Sequence, residues 1–165
     1  MKYNFLRKLI LNEKDTKLCY EIIKNNMIEI GVKVIPQDYI IWQSALNRNI
    51  TNFKNFYFFL IKQGEEIVGF VEIKKCQDYL YLSEIQLAPK VKQTKVILYT
   101  LKFLFENQSF NNFDTIYFHI NKSNKMSHKT FTHLGGEIVE ELKINNKYKI
   151  TREKVENYLN KFNKD

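Results

Sequence analysis

The chain switches between two hydrophobic periods, and the switches mark its elements. Lys2 to Leu11 reads as a first strand. Asp15 can cap a helix, after which Leu18, Cys19, Ile22, Ile23 and Met27 recur at helical spacing. Pro36 suits the first turn of a second helix that runs to about Arg48. "FYFFLIKQ" (Phe56–Gln63), "GEE" and "IVGFVEIKKC" (Ile67–Cys76) predict a strand, a tight turn and a strand, hence a hairpin. "YLYLSEIQLAP" follows as a further strand, expected to run antiparallel to its neighbour.

Beyond a basic loop, Ile97, Leu98, Leu101, Leu104 and Phe105 mark one face of a buried helix. "TIYFHI" (Thr115–Ile120) is a short β-rich run. The helix joining it to the preceding strand makes the two expected parallel neighbours, with a right-handed crossover. "SNKMSHKTFTHLGG" is a capped helix, with Ser123 or Asn124 at its start and Gly135 at its end. "EIVEELKI", "NN" and "KYKI" predict a last hairpin with the two asparagines as its turn. Val155, Tyr158, Leu159 and Phe162 give a C-terminal amphipathic helix for which Thr151 is a reasonable cap. The order β α α β β β α β α β β α predicts an α/β fold, a central mixed sheet with helices on both faces. With 165 residues and no linker, repeat or low-complexity stretch, residues 1–165 read as a single domain.

Composition narrows the function classes. At 44% hydrophobic and 15% aromatic residues the chain is too apolar to be disordered. A formal charge of +8 leaves acidic partners open, although lysines scattered over a solvated surface give the same total. No apolar run approaches the ~20 residues of a membrane span, so no membrane partner is expected. Arg7 and Lys8 interrupt the N-terminal apolar stretch, which reads as a strand and not a signal peptide. Cys19 and Cys76 lack metal-like spacing and suit free thiols in a reducing cytoplasm. His119, His128 and His133 are not completed to a zinc pattern, so no metal site is expected.

Two local motifs carry chemistry. "LAPKVKQTKVILYT" (Leu87–Thr100) has the layout of a phosphate-binding strand–loop–helix junction, yet holds no glycine. "NKMSHKTFTHLG" lies in the following helix. With the element order, these resemble the GNAT-type N-acetyltransferases over almost the whole chain. In that family the fourth strand ends in a V-x-P-like signature, and R/Q-x-x-G-x-G/A opens the next helix. Here Leu87–Pro89 matches the strand end and Lys92 the Arg/Gln position, while Lys95 and Ile97 stand where the glycines belong. A frame starting at Gln93 puts Val96 and Leu98 at those positions instead. The second motif, N-x-x-A-x-x-x-Y-x-x-x-G, is met by Asn124, Ser127 for Ala, Phe131 for Tyr, and Gly135. That tyrosine is the one usually assigned as general acid.

The resemblance implies a GNAT-like, mostly antiparallel mixed sheet flanked by helices, with an extra C-terminal helix. It also implies acetyl-CoA as donor and an amine on a small molecule or peptide as acceptor. Strands four and five of the family splay, and pantetheine pairs with the freed backbone. The Leu87 or Ala88 amide would then donate to the thioester carbonyl. The loop Lys90–Val96, with Lys92, Gln93, Thr94, Lys95 and Val96, would meet the pyrophosphate at a helix N-terminus. Lysines 90, 92 and 95 would replace backbone contacts that glycine normally permits. Asn124 would contact the pantetheine arm, or serve only as a helix cap.

A base is useful for the amine's proton, and Glu84 lies three residues before Leu87. Tyr81 is the upstream alternative, and a strand glutamate can also be an exposed cross-strand partner. Phe131 cannot be an acid, which leaves water, Tyr99 or His128. Acceptor choice should come from the first two helices and the last hairpin, where Glu137, Glu140 and Glu141 could draw a cationic amine. Two other readings stand beside the enzyme. One is a catalytically lapsed domain that binds CoA or a protein partner without turnover. The other is a nucleic-acid-binding module, which no basic-helix or RNA-binding signature supports.

Overall fold

A computed structural model describes residues 3–91 and 94–162 of the chain. The elements run β1 (Tyr3–Lys8), α1 (Glu13–Glu29), α2 (Pro36–Asn52), β2 (Phe56–Gln63), β3 (Glu66–Lys75) and β4 (Leu80–Leu87). After a 3-10 turn at Pro89–Val91 come α3 (Thr94–Glu106), β5 (Thr115–Asn121), α4 (Lys125–His133), β6 (Glu137–Glu141), β7 (Asn145–Thr151) and α5 (Arg152–Phe162). The strands form a mixed, mostly antiparallel sheet in the order β1-β2-β3-β4-β5-β7-β6. Among the described residues, no helix is long and apolar enough to cross a membrane, and no cluster of ligating side chains could hold a metal ion.

β1 is shorter than expected, Tyr3–Lys8, and α2 runs on to Asn52, while two further differences have a visible local cause. The α1 cap is Asn12, whose side chain accepts from the Asp15 N–H at 2.7 Å, and Asp15 sits inside the first turn near the helix's positive end. In the last hairpin the turn lies at residues 143–144, because Leu142 N–H bonds to Asn145 O at 2.9 Å. Asn145 and Asn146 are drawn into β7 as the partners of Asn121 and Ile120 on β5. At α2, Ile35 N–H donates to the Asp38 carboxylate at 2.8 Å, and Pro36 occupies the first turn as expected.

The chain forms two compact units, Met1–Lys74 with Glu84–Lys92, and Lys75–Ser83 with Gln93–Asp165. In the first, Phe56, Phe58 and Leu60 of β2 pack with Phe70 of β3, Cys19 and Ile23 of α1, and Leu46 of α2. Phe58 and Phe70 stack at 5.2 Å, and Trp42 of α2 leans on Phe70 at 6.1 Å. Each such side chain contributes about 1.5–3 kcal/mol through burial. Strands β2 and β3 are buried at consecutive positions, so both of their faces are covered. Glu72 lies within that layer at 9% exposure.

The second unit buries Ile116 and Phe118 of β5, Ile150 of β7, Leu101 and Leu104 of α3 and Val155 of α5. Arg152 ties its loops together. Its guanidinium donates to the carbonyls of Phe105 (2.8 Å), Asn111 (2.9 Å) and Phe113 (2.8 Å) and pairs with Asp114 at 3.1 Å.

Gly69 of β3 fixes where β4 ends. A Cβ there would stand 2.4 Å from the Gln86 carbonyl oxygen and 2.8 Å from Leu87 Cδ2. One neighbour is backbone and cannot swing aside. Gly69→Ala should therefore cost at least about 2 kcal/mol in urea unfolding, the scale of overpacking a core. A loss below about 0.5 kcal/mol would show that the strands do not approach this closely.

Glu72 gives a pH-dependent contribution. Burial, then the charge of Glu84, pushes its carboxyl up to about 8, with Lys74 opposing. An acid whose folded pKa is raised binds its proton more tightly when folded. Its stability contribution is complete below the ordinary carboxylate range and is lost as pH rises through about 8. Wild type should lose up to about 1.4 kcal/mol per pH unit across that window relative to Glu72→Gln. Parallel stability profiles for the two proteins would rule this out.

Candidate active site

The first unit's β4 ends in a polar network held by α1. Asn26 Nδ2 donates to Gln86 Oε1 at 2.6 Å and to the Leu87 carbonyl at 3.2 Å. Gln86 Nε2 in turn donates to Glu84 Oε1. The helix thus fixes Glu84 and Leu87 through one asparagine. Asn26 Oδ1 is buried without a partner among the described residues.

Ala88 N–H donates to Val68 O at 2.8 Å, so that amide is committed to β3. Successive amides of an extended strand point to opposite edges, which turns Leu87 N–H away from β3. Of the two amides expected at the acetyl group, only Leu87's is turned outward. Cys76 N–H bonds Tyr79 O at 3.0 Å and closes the turn between β3 and β4, which therefore run antiparallel. Counted from the Val68–Ala88 bond Glu72 falls opposite Glu84, and counted from the Cys76–Tyr79 bond opposite Ser83, so β4 carries one extra residue and Glu72 faces its Ser83–Glu84 step. Burial raises the Glu84 carboxyl, and the Gln86 hydrogen bond opposes that rise. Cys19 belongs to the same layer, its thiol pushed up to about 12 by burial and by the charges of Asp15 and Glu72, which leaves it unreactive.

The basic loop is less uniform than its lysines suggest. Lys90 is ion-paired with Glu66 and so is not simply available to a phosphate. Lys92 and Gln93 lie outside the described residues. Helix α3 begins at Thr94, and Lys95 is exposed, its ammonium 5.9 Å from the Tyr99 ring. The Val96 side chain is fully buried, so only its backbone can meet a ligand.

In the second unit Asn124 caps α4, its Oδ1 accepting from Ser127 N–H at 3.1 Å. The cap leaves its amide NH2 group uninvolved. Phe131 is buried against Phe118 at 4.4 Å. His128 is a strut and a poor candidate for the acid. Its Nε2 faces the Asn121 carbonyl at 3.0 Å and must carry the proton, so Nδ1 accepts from the Tyr148 hydroxyl at 2.6 Å. Tyr81 hydrogen bonds His119 Nδ1 at 2.7 Å, a pairing set by the parallel register Tyr81↔Tyr117.

Sequence reasoning singled out Glu84 but missed Asn26, Gln86 and Glu72. The one signal for Glu72 was a charge inside the apolar stretch Ile67–Ile73 of β3. Asn26 and Gln86 gave none, since polar residues at a helix end and a strand end are ordinary.

No family model matches the chain, and no curated protein matches it in sequence. Solved structures do. An acetyltransferase from Thermus thermophilus is 14% identical over 92% of this chain and 97% of its own, with a TM-score of 0.73. The Campylobacter jejuni N-acetyltransferase PseH, in complex with acetyl coenzyme A, is 16% identical over 92% and 99%, at 0.65. The Thermoplasma acidophilum PaiA N-acetyltransferase, in complex with coenzyme A, is 12% identical over 92% and 99%, at 0.67. The chain has the fold of the GNAT-type N-acetyltransferases.

Proposed function

We propose that residues 1–165 act as one cytoplasmic acyltransferase domain that moves an acetyl group from acetyl-CoA to an amine. Transfer is by direct attack in a ternary complex. The observation that carries this reading is the Asn26 bridge, which holds a candidate base and the end of its strand in one network. That PseH and PaiA were solved with acetyl coenzyme A and coenzyme A supports the choice of donor. When bound, acetyl-CoA supplies the activated acetyl group.

Glu84 takes the proton from the attacking nitrogen, and Gln86 keeps its carboxylate from rotating away. The outward Leu87 N–H donates to the carbonyl oxygen as negative charge develops there. Lys92, Gln93, Thr94, Lys95 and the Val96 backbone bind the pyrophosphate, and Asn124 contacts the pantetheine arm. With no phenol at position 131, the chain relies on the leaving thiol itself, whose pKa of about 8.5 makes the thiolate a tolerable leaving group. The buried, hydroxyl-free Phe131 also favours a second reading, CoA binding without turnover.

Thiol release from acetyl-CoA over a panel of amines tests the activity. Glu84→Gln should lower turnover by about 10²–10⁴-fold and leave CoA affinity unchanged in calorimetry. A loss below about threefold would return Glu84 to a structural role and leave Tyr81 or water as the base. CoA that raises the melting temperature with no thiol release would favour the second reading.

The loop generates its own test. Lys92→Ala with Lys95→Ala should weaken CoA by roughly 1–3 kcal/mol and flatten the salt dependence of binding. Lys90→Ala should do less, because Glu66 already holds that ammonium. Unchanged low-salt affinity in the double variant would remove the lysines from the site.

A further inference from the structure

We propose that Glu72 and Glu84 share a single proton, so that Glu72 acts as the positioning residue that sets the protonation of the proposed base. Only the catalytic consequence rests on the acetyltransferase reading. The pairing itself is a property of the resting chain.

Glu72 of β3 faces the Ser83–Glu84 step of β4, and Glu84, bonded through Gln86 to Asn26, lies on the face beneath α1. Little around them could neutralise a second negative charge. Phe58 is the partner of Glu72 on β2, and Trp42 and Leu46 come from α2. From α1 come the neutral Cys19 thiol and Asp15, whose charge is partly met by Lys8 at 3.8 Å. Lys74, two residues along β3, is the cation that acts on Glu72. Gln86 donates to Glu84 and so favours its charged form. Nothing of that kind steadies a charge on Glu72, which has burial and the Glu84 charge against it.

The proton of the pair therefore favours Glu72, and Glu84 is the member that ionises first. A protonated Glu72 places no like charge beside Glu84, whose carboxylate is oriented by Gln86. When an amine binds, its N–H bond breaks and an O–H bond forms on Glu84. Glu72 keeps its own proton, the pair becomes neutral, and Glu84 returns its proton to water.

Carboxyl titration by ¹³C NMR on the resting chain, with labelled glutamate, reads the pair directly. Wild type should show one carboxyl titrating near pH 8, and Glu72→Gln should lack it. In Glu84→Gln that carboxyl should titrate lower by at least about one pH unit, because the neighbouring like charge is gone. If the high titration survives in Glu72→Gln, or stays in place in Glu84→Gln, the shared proton is overturned. Where thiol release gives a rate, Glu72→Gln should lose the inflection near pH 8. Glu72→Leu should move the acidic limb upward, because an apolar side chain there deepens the desolvation that disfavours the Glu84 anion. Failure to find any acceptor would count against the acetyltransferase reading alone, since the titration decides the pair without turnover.

Discussion

The close approach of β3 and β4 at Gly69 organises the first unit's candidate site. With a hydrogen in place of a side chain, Gly69 lets the Gln86 carbonyl and Leu87 sit where a Cβ would be. That approach keeps the Val68–Ala88 hydrogen bond at 2.8 Å and fixes the register at the strand end. From the register follow the position of Glu72 facing the Ser83–Glu84 step and the edge to which Leu87 turns its amide. A slip of one residue would send every side chain of β4 to the other face and take Glu84 out of the layer.

Burying two carboxyls in one apolar layer opposes folding unless the charge is limited and hydrogen-bonded. Both conditions are met by cheap means. The proposed shared proton limits the charge, and Gln86, itself held by Asn26, supplies a hydrogen bond. Asn26 also reaches the Leu87 carbonyl, so the group that steadies the carboxylate steadies the strand end as well. A structural network would not need to couple these two points. A site that must hold a base near a hydrogen-bond donor would.

Much of the fold was legible because its elements carry strong periods. The bounds of β2 were readable from "FYFFLIKQ", and α4 falls between its cap Asn124 and Gly135, which adopts φ +92°. The asparagine pair at 145–146 misled, since its local turn preference yielded to pairing with β5. Asn12 was overlooked as a cap because Asp15 also offers a carboxylate in the right stretch. Glu84 could be picked from its distance to Leu87 along one strand. Glu72 could not, because its meaning depends on a strand being covered on both faces and on the register with the next strand. Those are tertiary facts, and polar residues in strands read by default as solvent-facing.

The departures from the family pattern need not all point to lost chemistry. Side chains at Lys95 and Ile97, or at Val96 and Leu98, in place of glycines would weaken a grip that depends on close backbone approach. An exposed Lys95 at the start of α3 offers charge in return, on the end of the helix that already favours anions. The loss at Phe131 is of another kind. Its ring is buried against Phe118, so that position now contributes packing instead of a hydroxyl. The nearby polar pair His128–Tyr148 does not replace it, because both ring nitrogens of His128 are engaged in holding α4 to β5 and β7. Acid assistance matters least when the leaving group is a thiol, and under the proposed acetyltransferase reading removal of the amine's proton is the step that falls to the half-buried Glu84. Within that reading, the positions that depart from the family pattern are those whose work charge or the leaving group can take over.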